Sequence, residues 1–136
     1  MIVIGVLISI FFVMLPTIIV PITHKVLRNK KVFYSLVVFS LGLIVAVSSE
    51  YNIRLDQGDK INFLISFSPL TFLILYKSFD NIILKKLNRH IHFYAGLILS
   101  TYWDEESKDV TDLEMFLQSV FLFIPFLWVG IGFLIF

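Results

Sequence analysis

Apolar runs of membrane-spanning length alternate with short polar stretches along this chain, and four such runs can be marked. The first, residues 2–22, is interrupted only by Gly5, Ser9, Pro16, Thr17 and Pro21. The second takes 32–49. The third takes 61–79 and is the most polar of the four, with Asn62, Ser66, Ser68, Pro69 and Thr71. The fourth takes 116–136. A bilayer core is crossed by about 20 apolar residues in helical form, so each run is predicted as a transmembrane helix. Thr111 followed by Glu114 fits a capping box, which starts the last helix near Asp112 and gives it 112–136. Acidic residues in that first turn also suit the positive end of the helix dipole.

Residues 77–114 are the one long polar interruption. On a helical wheel Ile83, Leu84, Leu87, Ile91, Tyr94 and Ile98 share a side, with Lys85, Arg89 and His92 on the other. Such a pattern predicts an amphipathic inner segment, 80–103, lying on the membrane surface, with Lys85, Arg89 and His92 at lipid headgroups. A docking helix for a partner protein is the alternative. The apolar patch 95–103 is too short to span and is expected to dip into the interface at Tyr102 and Trp103. The predicted fold class is therefore an all-α integral membrane protein, with four transmembrane helices and an interfacial helix between the third and fourth.

Composition agrees with this pattern. The chain is 58% hydrophobic and 15% charged, with a mean hydropathy of +0.91; soluble domains run about 25% charged. It has 136 residues, enough for a single membrane domain. There is no cysteine, which excludes disulfides and thiolate metal sites. A net charge of +1 argues against nucleic acid, which needs a clustered basic surface. The first run has no basic residues ahead of it and no small-residue cleavage site behind it, so it reads as a span and not as a secretory signal.

Charge then orients the bundle. Residues 23–31 carry Lys25, Arg28, Lys30 and Lys31 and no acid. Nine of the Lys and Arg residues fall on this stretch and on 77–114, and two fall on the loop 50–60. Under the positive-inside rule both termini lie outside. The absence of a targeting segment fits a bacterial cytoplasmic membrane.

Ser35, Gly42, Ala46 and Ser49 fall on one face of the second helix, and Gln118 and Gly132 on one face of the fourth, beside Pro125. Small residues let helices approach closely, and a glutamine can hydrogen-bond a neighbouring helix. These six residues are the candidate packing or partner face, with an ordinary intramolecular seam the plainer reading. Pro16, Pro69 and Pro125 each remove a backbone hydrogen bond within a span. Ser66, Ser68 and Thr71 are placed to repair the break at Pro69, although in transporters such breaks also mark binding sites.

Candidate chemistry is sparse. No ionisable residue is expected at mid-membrane depth, which counts against a carboxylate-based ion pathway. His90 and His92 on a helix would point roughly 200° apart and would not chelate one ion together. Asp104, Glu105 and Glu106 read as a solvated charged turn. No nucleophile triad, phosphate loop or metalloprotease motif is present. No enzyme, cofactor or metal is predicted. The function expected is that of an interaction partner acting by helix–helix contact: an accessory or assembly subunit, or an immunity-type protein against a membrane-acting toxin. Its partners would be membrane lipids and another membrane protein, or itself as an oligomer. The alternative is a homo-oligomeric small channel or transporter.

Overall fold

The computed structural model describes residues 2–19, 21–51, 54–94 and 109–136. The expected dip at 95–103 and the acidic turn 104–106 lie outside them. The described residues contain helices and no strand.

Helix α1 covers Ile2–Met14 and passes into a π-helical turn, Leu15–Ile19. The regular helix ends just before Pro16, whose missing N–H leaves the carbonyl of Phe12 without its i+4 donor. At about 20 Å, α1 is short of a bilayer core of about 30 Å. The regular helix is shorter than the run 2–22, and the π turn carries the helical stretch on to Ile19. The basic stretch expected as a loop is instead a 3-10 helix, Pro21–Arg28, that runs almost directly into α2, Lys30–Ser48. With three residues per turn, His24 and Leu27 fall on the same side, and both are buried. Asn29 caps α2 by accepting from the Lys31 N–H at 3.0 Å.

Helices α3 (Gln57–Ile65) and α4 (Ser68–Leu87) follow one another as one 31-residue apolar stretch, the α3–α4 rod. At about 46 Å it is longer than the third span expected from sequence. Pro69 sits in the first turn of α4, where a missing N–H does little harm. The Ser66 and Thr71 hydroxyls donate to the carbonyls of Phe63 and Phe67. Ser68, expected to share in that repair, is buried with its hydroxyl unbonded. Helices α5 (Asp112–Leu122) and α6 (Ile124–Ile135) meet at a 47° bend beside Pro125, which leaves the Phe121 carbonyl without its helical donor. The capping box forms as expected: Thr111 Oγ1 accepts from the Glu114 N–H, and the Glu114 carboxylate accepts from the Thr111 N–H.

By length and composition, α2 and the α3–α4 rod can each cross a membrane, and the bent α5–α6 pair makes a third crossing if it is one span. The distribution of side chains also suits a lipid solvent. Val3, Leu7, Val38, Val45, Phe126 and Phe133 point outward, whereas Ser9, Thr17, Ser40, Ser66, Asp80 and Glu114 are buried. In water so much exposed apolar surface would drive association. The central core joins Phe72 and Tyr76 of α4 to Phe121 of α5 and to Phe93, with Phe72–Phe121 ring centroids 4.9 Å apart and Phe93–Phe121 5.5 Å apart. Two glycines set close helix contacts: a Cβ on Gly5 would stand 2.5 Å from Val47, and one on Gly132 would stand 2.8 Å from Ile61.

Candidate functional site

The amphipathic helix expected over 80–103 does not form as one element. Its first part is the end of α4, and the helix stops at Leu87. Asn88 takes the left-handed conformation (φ 55°), and its N–H bonds the Leu84 carbonyl at 3.1 Å. Asparagine is among the few non-glycine residues that adopt this closing position readily. Beyond it, residues 89–94 form a non-helical strap, with Ile91, His92 and Phe93 buried.

Non-helical backbone inside a membrane protein needs partners for its polar groups, and side chains supply them here. Asp80, on α4, accepts the Ile91 N–H at 2.8 Å. Glu114, on α5, accepts the His92 N–H at 2.6 Å. Gln118, one turn further along α5, accepts the Tyr94 N–H at 2.7 Å and donates to the Tyr94 carbonyl at 3.0 Å. Arg28, from the 3-10 helix, donates to the Ile91 carbonyl at 3.2 Å. Gln118 also donates to the Thr17 carbonyl at 2.8 Å. In a regular helix that carbonyl would be taken by the N–H four residues on, but residue 21 is proline and has none.

Glu114 is the centre of this network. Arg89 grips it with both terminal nitrogens, at 2.7 and 2.8 Å. The backbone N–H and hydroxyl of Thr111 add bonds at 3.1 and 3.0 Å. The carboxylate is fully buried and stands in the polar first turn of α5, ahead of the apolar stretch that begins at Phe116. Arg89, the His92 N–H and Thr111 offset the cost of burying this charge. With five donors on it, a carboxylate of about four lone-pair sites has no acceptor left for a substrate or a metal. Asp80 is also buried and bonds His90 Nδ1 at 2.9 Å. The His24 ring stacks on Phe93 with centroids 4.4 Å apart, closing the strap against the 3-10 helix.

Several residues singled out from sequence take places other than those expected. Of the proposed headgroup contacts, Lys85 is exposed at the end of α4, Arg89 is committed to Glu114, and His92 is buried with its ring toward the Asp109 carbonyl. Gln118 and Gly132 are spent inside the bundle, on the strap and on Ile61. Ser35, Gly42 and Ser49 are exposed and Ala46 half-buried, so this stripe is not an intramolecular seam. His90 and His92 lie on non-helical backbone, and among the described residues no three His, Asp or Glu side chains gather as a metal site. Asp80 and Glu114 were missed as buried acids. Asp80 had a signal: it lies four residues after Tyr76 and three before Ile83, a lone acid within an apolar helix stripe.

The chain matches no family model, no curated protein and no solved structure.

Proposed function

We propose that this is a small polytopic membrane protein that works by binding another membrane protein through helix α2, without catalysis. The observation that carries this reading is the outer face of α2. Its buried residues are Ser40, Leu43 and Val47. Ser35, Gly42, Ala46 and Ser49 lie about 120° round the helix from them. A Cβ built on Gly42 meets nothing within 4 Å, whereas Gly5 and Gly132 are each required by a close contact in the bundle. The outward small stripe is flanked by the exposed Val38 and Val45, the relief into which a second transmembrane helix packs. An accessory subunit or an immunity-type protein fits this mode of action. The channel alternative has less support, because Ser66 is buried and Thr71 accepts the Trp128 indole N–H at 3.1 Å, so the polar side of the third run is used in packing.

In this reading the chain lies in a bacterial cytoplasmic membrane with four membrane segments and both termini outside. The first segment is α1 with its π turn, and the fourth is the bent α5–α6 pair. A reporter active only in the cytoplasm, fused after Phe136, is expected to be silent; activity there would invert or re-count the segments. The test of function is native mass spectrometry of tagged protein extracted gently from its host membrane, with Gly42→Leu beside it. A stoichiometric partner held by the unaltered chain and lost from a folded Gly42→Leu variant is expected. Undiminished binding by that variant would refute the α2 face, and a closed homo-oligomer without a partner would favour the channel.

A further inference from the structure

Independently of the α2 stripe, we infer that the outward face of the last turns of α4, marked by Lys77, Asn81 and Lys85, is a binding site for the headgroup of one anionic phospholipid. The three residues recur every four positions, so they stand within about 80° of one another round the helix, and all three are exposed. Their side chains make no hydrogen bond or ion pair among the described residues. The one acid of α4, Asp80, is turned the other way. It is buried and holds the Ile91 N–H at 2.8 Å and the His90 ring at 2.9 Å. The strap thus takes the only carboxylate of this helix, and the outward face is left with two ammonium groups and an amide.

The depth of these residues selects a lipid as the occupant. Set along the bilayer normal, the 31-residue rod rises about 46 Å, against about 30 Å for a hydrocarbon core. Its first four residues, Gln57 to Lys60, are polar and use about 6 Å. A core of about 30 Å counted from Ile61 then ends near residue 80. Asn81 and Lys85 stand about 6 Å apart along the axis and bracket the headgroup layer, about 5–8 Å deep on each side. Lys77 lies about one turn inside that level, within reach of it through its long stem. Ile74, exposed on the same side of the helix, is placed to meet an acyl chain below. An acidic protein segment at the membrane surface would pair with Lys85 and leave Lys77 and Ile74 unanswered.

A lysine beside an anionic lipid surface is worth about a fivefold preference, so the pair is expected to favour phosphatidylglycerol over phosphatidylcholine of the same chains by roughly tenfold or more. The full-length protein in detergent is titrated with either lipid and read by native mass spectrometry. One phosphatidylglycerol per chain is expected to be retained ahead of phosphatidylcholine. Lys77→Gln with Lys85→Gln should abolish that preference. Lys30→Gln with Lys31→Gln removes the same charge from the exposed start of α2 and should lower the preference by about twofold at most. Equal retention of the two lipids by the unaltered chain would overturn the inference. Equal losses in the two double variants would do so as well, since net charge alone would then explain the preference. A second measurement needs no variant: phosphatidylglycerol with a photoactivatable headgroup should label residues 77–85 above all others. Labelling as strong at Lys30 and Lys31 would overturn the inference, as would this face of α4 cross-linked in native membranes to protein instead of lipid.

Discussion

Replacing Glu114 with alanine should weaken this protein more than any other change to a single polar side chain in the strap network. The side chain is fully buried, so its bonds are not shared with solvent. Losing the capping box removes about 1 kcal/mol. Leaving the buried His92 N–H without an acceptor removes a further 1–3 kcal/mol or so. Arg89 is 24% exposed and can turn outward, which limits the penalty for its orphaned charge. The sum is about 2–4 kcal/mol, overlapping the range of about 3–5 kcal/mol for breaking a buried ion pair. Arg89→Gln should lose less, about 2 kcal/mol, because three other bonds still hold the carboxylate, and the two changes together should be less than additive by about 1–3 kcal/mol. The assay is denaturant or thermal unfolding in detergent, followed by helical circular dichroism. A loss below about 1 kcal/mol for Glu114→Ala, or strict additivity with Arg89→Gln, would refute the claim that Glu114 anchors the strap.

Asp80→Ala should free the Ile91 amide, and hydrogen exchange there should speed up by at least tenfold while the Phe72 amide is unchanged; equal protection at Ile91 would show that Asp80 does not hold it. Gly132→Ala should lose about 1–3 kcal/mol through overpacking against Ile61, whereas Gly42→Ala should be neutral or gain up to about 1 kcal/mol from helix propensity, with thermal unfolding of the pair as the check.

The sequence by itself determined the helical class, the apolar runs and the starts of α1, α2 and α5, because these depend on local composition. The capping box at Thr111 and Glu114 placed α5 correctly, and the second run became α2 within two residues at either end. A stop signal at the end of α4 was also present: Lys85 and Lys86 in the last turn followed by Asn88. The amphipathic wheel, read through it, carried the helix on into what is a non-helical strap. What only the tertiary structure decided was which polar residues turn inward. In a chain dissolved in lipid an apolar side chain is at home on either side of a helix, so hydrophobic periodicity no longer separates core from surface. The stripe on α2 is visible in sequence as small residues, but its being open depends on where α1 and α4 pack. Arg89 reads locally as a headgroup ligand; it is an internal cation because the chain returns through 109–114 and brings Glu114 within 2.7 Å. The carbonyl of Thr17, orphaned by Pro21, finds its donor in Gln118, 101 residues away, a pairing no local pattern can specify.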